Sequence, residues 1–261
     1  AALLAFNGKV NPGIMEALDN EASQVAALHI ASVRRMSEAA PKVYSLLSSE
    51  NKEVSDAAYS ALAGVVSASD FDRLSQIIEK DGGKHTADLQ AAMKSSLRNL
   101  PAAEQYRRVN AKLEKSSNPA LYYPSLAQAG NSSAIATLTE GYEKGDRQAA
   151  LAALLTVDNL EMLDILYDIA VKDMTNSSEA LNRYATLTGK SDYNPVRKYQ
   201  LYRKGLEVAK DEKVRNRMIN GLAGTYTYPA VLVVDRYTGI PATREAAAEA
   251  IRTIASKNTM D

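Results

Sequence analysis

The chain has 261 residues, which is long enough for one large domain or two small ones with a buried core. Its 31 basic and 31 acidic side chains give a formal net charge of zero, which argues against a dedicated binder of nucleic acid or of anionic membranes. Cysteine is absent, so disulfides, thiolate catalysis and cysteine-ligated metal sites are excluded.

The first residues carry no intact targeting signal. The chain starts Ala-Ala-Leu-Leu-Ala-Phe, without Met and without a basic segment, which favours a processed mature chain or a fragment of a longer one. No run approaches the roughly 20 apolar residues of a transmembrane helix, so we expect no transmembrane segment. Together with the lack of cysteine, these features fit a periplasmic or secreted protein.

Apolar side chains recur along the chain as helical hairpins. The clearest copy, residues 41–66, reads as a first helix, a polar break at 48–52 and a second helix whose apolar stripe includes Val54, Ala58 and Leu62. This second-helix pattern returns roughly every 30 residues, which predicts an all-α solenoid of about eight hairpins. The anchors of the eight copies are Val33, Leu62, Leu97, Leu126, Leu154, Leu187, Leu222 and Ile251.

One segment of the last hairpin has the composition of a strand. Residues 230–234 read AVLVV, which alone would favour a buried strand. Pro229 just before them suits the first turn of a helix, and the repeat places a first helix at this point. We therefore predict a helix here.

The copies resemble HEAT repeats, most closely in residues 54–62, which read VSDAAYSAL. The copies at Leu126 and Leu187 depart from the family pattern, with Asn118 and Glu179 where valine is expected. The resemblance implies a right-handed α–α superhelix formed by residues 1–261 as a single array. It specifies the fold far better than a function.

Three later copies keep the arginine that HEAT second helices favour near their start. In the family, this arginine meets an acidic residue from a neighbouring loop. The resemblance therefore implies ion pairs here, with one local acid for each arginine. The three pairs are Arg147 with Asp146, Arg215 with Asp211, and Arg244 with Glu245.

A narrower resemblance covers the last third of the chain, in residues 179–224, 227–237 and 244–257. These segments are similar to the HEAT region that precedes a 3-keto-disaccharide hydrolase, or glycoside-hydrolase-like, domain in large secreted bacterial proteins. The resemblance implies that this chain is a non-catalytic array accessory to a sugar-processing domain outside it. No catalytic residue, cofactor or metal site is carried over, because that catalytic domain is a β-sandwich.

The residue types that carry chemistry are sparse. The only histidines are His29 and His85, and neither lies in a zinc-binding His-Glu-x-x-His pattern. Asp164 and Asp168 stand four residues apart on one helix, but exposed acidic pairs are common and no third ligand is evident. We therefore predict no catalytic, cofactor or metal site.

The exposed side of the second helices is predicted to form a concave interaction face. The stripe is polar with no strong net field, which suits a protein partner better than nucleic acid. Ala63, Ser95, Leu151 and Ile219 are also predicted to be exposed on it. The polar members are Asp56, Tyr59, Ser60, Lys94, Arg98, Gln148, Asn216, Asn220, Glu245, Glu249 and Arg252.

Tyrosine is unusually abundant, with 14 Tyr against 2 Phe. Amphipathic tyrosines suit interfaces, so a carbohydrate-contacting accessory module is the alternative to a protein-binding scaffold. A DNA-repair type of enzyme is the third class, and the neutral charge argues against it. The tyrosines that crowd the last third are Tyr193, Tyr199, Tyr202, Tyr226, Tyr228 and Tyr237.

Overall fold

A computed structural model describes residues 10–258 of the chain, and within that range it is all helical. The N-terminal residues on which the expectation of a processed chain rests lie outside the described range. The chain forms two compact units, Ala1–Leu154 and Leu155–Asp261. No helix of the described range is long and apolar enough to cross a membrane.

The first unit contains five hairpins, each a first helix followed by a second helix. Short 3-10 turns at Ser37–Ala39, Ala68–Asp70 and Pro119–Tyr122 lead into three of the first-unit helices. The α-helices are α1 (Asn11–Ala17), α2 (Gln24–Val33), α3 (Ala40–Leu46), α4 (Lys52–Val65), α5 (Phe71–Ile78), α6 (Thr86–Leu97), α7 (Ala102–Leu113), α8 (Tyr123–Ala129), α9 (Ser132–Lys144) and α10 (Arg147–Leu154).

The second unit contains three hairpins of the same kind. Its helices are α11 (Met162–Lys172), α12 (Ser177–Lys190), α13 (Pro195–Val208), α14 (Glu212–Ala223), α15 (Tyr228–Asp235) and α16 (Arg244–Asn258). Eight hairpins within residues 10–258 confirm the helical-repeat prediction, and each predicted anchor falls in the second helix of its own hairpin. Their grouping into one array over residues 1–261 stays a prediction.

Local sequence signals explain where several helices begin. The side chain of Asn51 accepts the backbone N–H of Glu53 at the start of α4, and Asp211 accepts that of Val214 at the start of α14. Such caps satisfy backbone donors that have no partner inside the helix. The segment 230–234 is helical, as predicted, because Pro229 occupies the first turn of α15.

Within each unit, the second helices pack side by side. In the first unit α4 lies between α2 and α6, and α8 lies between α6 and α10; in the second unit α14 lies between α12 and α16. Glycines allow the closest approaches. A Cβ atom at Gly64 of α4 would overlap the backbone of Ser32 on α2, and one at Gly221 of α14 would overlap the ring of Tyr202.

The core follows the predicted stripes, with four exceptions. Val54 and six of the eight anchors are buried, but the anchor Val33 is 52% exposed and the anchor Ile251 is half-buried. Val33 is the last residue of α2, where the chain leaves the helix and Met36 fills the core instead. Leu151 and Ile219 were predicted to be exposed and are instead buried, at 2% and 0%. Each lies on a second helix that packs against other helices. Those neighbours cover side chains that the pattern of one helix alone predicts to be exposed.

The predicted arginine–acid pairs are wrong for two of the three arginines. Arg215 donates from Nε to the carbonyl oxygen of Ala209 at 2.8 Å, and Arg244 donates to that of Thr238 at 3.2 Å. Asp211 is used instead as a helix cap. These arginines therefore fasten the start of a second helix to the chain just before it, through carbonyl groups that the preceding turn leaves open.

Gly64 provides a test of the close packing between second helices. Glycine to alanine in a helix normally stabilises by roughly 0.5–1 kcal/mol, and Gly13→Ala in α1, where nothing lies within 4 Å of the new Cβ, should do so. Gly64→Ala should instead destabilise by about 1–3 kcal/mol, because Ser32 must move. Urea unfolding measures both; a stabilising Gly64→Ala would contradict the packing.

Candidate functional site

The second helices of the first unit present one continuous row of side chains, and contacts between them fix their relative direction. Asp56 on α4 contacts His85 at the start of α6, and Ser60 donates to Asp88 at 3.1 Å. Further along both helices, Ser95 donates to the carbonyl oxygen of Ala63. Since positions rise together along both helices, α4 and α6 run parallel. We call this row the second-helix face.

An aromatic and acidic cluster lies at the N-terminal end of the second-helix face. The imidazole of His85 stacks on Tyr59 with ring centroids 3.7 Å apart and an interplanar angle of 2°. Its Nδ1 lies 3.0 Å from Asp81, and its Nε2 lies 3.3 Å from Asp56. Asp81 also accepts the backbone N–H of His85 at 2.7 Å, so a carboxylate 2% exposed fixes the start of α6.

Two ionisable groups of this cluster are perturbed by their surroundings. A hydrogen bond from Lys52, at 2.7 Å, and then one from His85 hold the pKa of Asp56 below its usual range. Partial burial raises the pKa of the Tyr59 hydroxyl. The cluster is thus built of side chains that hydrogen-bond to one another.

A basic groove lies at the C-terminal end of the same face. It has a volume of about 480 Å³ and a floor of small residues. Its lining residues are Ser32, Val33, Arg35, Ala63, Gly64, Ala91, Ser95, Arg98 and Gln128. Arg98 donates to the hydroxyl of Ser95, and Gln128 donates to the carbonyl oxygen of Lys94 at 2.8 Å.

The predicted face residues are distributed over both units. In the first unit, the structure brings Asp56, Tyr59 and Ser60 to the acidic end, places Lys94 and Arg98 on α6 near the basic end, and leaves Gln148 exposed on α10. None of the eleven polar residues is buried. In the second unit, α14 carries Asn216 and Asn220, and α16 carries Glu245, Glu249 and Arg252.

Several of the second-unit residues have partners within the fold. Arg252 forms an ion pair with Glu249 at 2.7 Å, and Asn216 donates to the carbonyl oxygen of Ala242 at 3.2 Å. Arg217, on α14 beside Asn216, donates to Asn182 of α12 at 3.2 Å. Asn216 and Arg217 therefore connect neighbouring parts of the unit, whereas Arg252 and Glu249 pair within one helix.

The six C-terminal tyrosines do not form one cluster. Tyr202 is 7% exposed and packs in the core, whereas Tyr228 is 75% exposed. Tyr193 lies beside Arg197 and Tyr226 beside Lys257, as cation–π contacts. The remaining two line a pocket of about 310 Å³ between α13 and α15, formed by Tyr199, Arg203, Leu206, Glu207, Pro229, Leu232, Val233, Arg236 and Tyr237.

The other titratable groups singled out in the sequence stand apart from these sites. Asp164 and Asp168 pair with Lys204 and Lys172 at 3.8 and 2.8 Å, and His29 is exposed on α2. Within residues 10–258, no group of three His, Asp or Glu side chains is placed to hold a metal ion.

Sequence reasoning did not anticipate the contact between His85 and Asp56 or the basic groove. The signal that could have found them is the repeat period itself. Asp56 and His85 are 29 residues apart, and Ala63 and Ser95 are 32 apart. Residues separated by one repeat are neighbours on adjacent second helices.

Comparison with known proteins finds no family model that matches this chain and no curated protein with significant similarity to it. The likeness to HEAT repeats and to hydrolase-associated arrays therefore stays a prediction.

The pKa of Asp56 tests the acidic end of the face. Lys52→Met should raise it toward the unperturbed value of about 3.9, and His85→Gln should raise it less. A lowered folded-state pKa means that this group's contribution to the free energy of unfolding is present above the unfolded pKa and is lost as pH falls through the folded one. Carboxyl-carbon NMR titration measures the shift. Lys115→Met, which changes an exposed lysine elsewhere in the unit, should leave it unchanged.

Proposed function

We propose that this chain is a non-catalytic helical-repeat scaffold that mediates protein–protein or interdomain interaction. The observation that carries the proposal is the second-helix face of the first unit. Parallel helices present an exposed row of polar side chains, with an aromatic cluster at one end and a basic groove at the other. Repeat arrays use such extended faces to bind other polypeptides.

The makeup of the face favours a protein partner. The stacked pair of Tyr59 and His85 supplies a rigid, partly exposed aromatic surface of the kind enriched at interfaces. Exposed polar groups such as Ser60 and Gln148 supply hydrogen-bonding capacity around it. The carboxylates of Asp56 and Asp81 contact His85 and hold its ring against Tyr59, which gives a partner a fixed surface.

Two narrower parts of the proposal depend on sequence alone. The resemblance of the last third to arrays that precede glycoside-hydrolase-like domains supports an accessory role to a sugar-processing domain. The lack of cysteine supports a periplasmic or secreted location.

Site-specific crosslinking in the source cell tests the proposed face. A photo-crosslinking side chain at Ser60, Ala91 or Gln148 should capture a partner polypeptide or another domain of the same one. The same group at Ala111 on α7 or Ala136 on α9, both exposed on first helices, should capture far less. Equal capture at first-helix and second-helix positions would contradict the proposal, and the mass of the product distinguishes a separate protein from an adjoining domain.

The pocket between α13 and α15 favours carbohydrate contact as a second function. It combines the rings of Tyr199 and Tyr237 with the guanidinium groups of Arg203 and Arg236. Aromatic faces and fixed hydrogen-bond donors are what a sugar ring needs for stacking and orientation.

An oligosaccharide panel followed by NMR tests this second function. Tyr199→Ala should weaken any binding about tenfold or more, because it removes a wall of the pocket. Tyr228→Ala is the matched control, since that tyrosine is highly exposed and does not line the pocket. Absence of binding across the panel would remove the carbohydrate function and leave the scaffold proposal unaffected.

A further inference from the structure

The basic groove carries positive charge with no acid among its lining residues. Arg35 and Arg98 line it and are exposed, and Lys94 lies one turn before Arg98 on the same side of α6. None of these three side chains forms an ion pair within the described part of the chain. Most other exposed arginines and lysines that contact an acid do so on their own helix, as Arg107 does with Glu104.

The position of these cations has a partial structural reason. The groove lies where α2, α4 and α6 end, and the carbonyl ends of helices attract positive charge. Two of those carbonyl groups already have donors, because Ser95 donates to Ala63 and Gln128 donates to Lys94. Each helix end carries only about half an elementary charge, so three full cations exceed what the helix ends require.

The shape of the groove allows a polypeptide to approach closely. Its floor is formed by Ala63, Gly64 and Ala91, which hold no long side chain over the surface. The exposed side chain of Val33 offers an apolar contact at the rim. Arg35 adds a planar guanidinium that can bind a carboxylate through two parallel hydrogen bonds.

The other end of the same face disfavours a nucleic acid as the natural occupant. Asp56 and Asp88 lie in the N-terminal halves of α4 and α6, and Asp56 is about 12 Å from Gly64 along a helix that rises 1.5 Å per residue. A duplex carrying one phosphate charge per ~1.7 Å would place charges beside these acids as well as beside the arginines. A short acidic peptide can engage the arginines alone.

We propose that the basic groove binds an acidic segment of the partner polypeptide, through carboxylates that pair with Arg35 and Arg98. The proposal depends on the scaffold function above and specifies the chemistry of its partner. The partner then carries two or more Asp or Glu residues close together, and opposite charge steers its approach and fixes its position on the face.

Fluorescence anisotropy with labelled eight-residue peptides tests the groove. A peptide rich in Asp and Glu should bind the whole chain, and a matched peptide of Asn and Gln should not. Arg98→Glu and Arg35→Glu should each weaken binding at least about tenfold. Lys115→Glu, which reverses an exposed charge elsewhere in the first unit, should change it less than about twofold. Circular dichroism shows whether each variant is folded.

A charge-swap experiment separates a specific groove from general electrostatics. The double variant Arg35→Glu/Arg98→Glu should lose the acidic peptide and gain a matched lysine-rich one. The proposal is overturned if the acidic peptide fails to bind at low salt, if Lys115→Glu weakens binding as much as Arg98→Glu, or if a single-stranded oligonucleotide binds more tightly than the peptide.

The crosslinking and charge-reversal results together separate a failure of the acidic-segment proposal from a failure of the scaffold function. If crosslinking at Ser60 and Gln148 still captures a polypeptide while the charge reversals have no effect, only the acidic-segment proposal fails. If crosslinking is also no stronger on the second-helix face than on the first helices, the scaffold function fails with it.

Discussion

The close approach of parallel second helices is the constraint on which the rest of the first unit depends. Gly64 and Ser32 show how little space separates α2 from α4, since even one added carbon does not fit. At that separation, backbone carbonyls near the ends of neighbouring helices come within reach of short side chains, as when Ser95 donates to Ala63. Repeat spacing, small residues and these cross-helix hydrogen bonds are therefore aspects of the same packing.

Parallel packing also separates charge across the face. Because the second helices run in the same direction, their N-terminal ends gather on one side and their C-terminal ends on the other. Acids such as Asp81 that fix helix starts then collect at the first side, and cations such as Arg98 collect at the second. A chain with zero net charge thereby acquires a face with an acidic end and a basic end, which overall composition does not reveal.

The sequence predicts the hairpins well because their helical period and their repeat period reinforce each other. It predicts poorly how much of each second helix stays exposed: Leu151 and Ile219 are buried by neighbouring helices, and that packing is not encoded in one helix's own pattern. The prediction that Val33 is buried is wrong for a local reason, because α2 ends at that residue. The contact of His85 with Asp56 cannot be predicted from either repeat alone, because it joins residues of two successive repeats.

The cations of the basic groove are grouped around a floor of small residues, with no acid among the residues that line it. In the second unit, Arg252 pairs with Glu249 on its own helix, and Arg217 donates to Asn182 of a neighbouring helix. In the first unit, Arg35 and Arg98 meet no carboxylate within residues 10–258, and desolvating them against a neutral partner would cost free energy without return. An opposite charge brought by a partner offsets that cost, and this is the physical basis for the acidic segment proposed to bind in the groove.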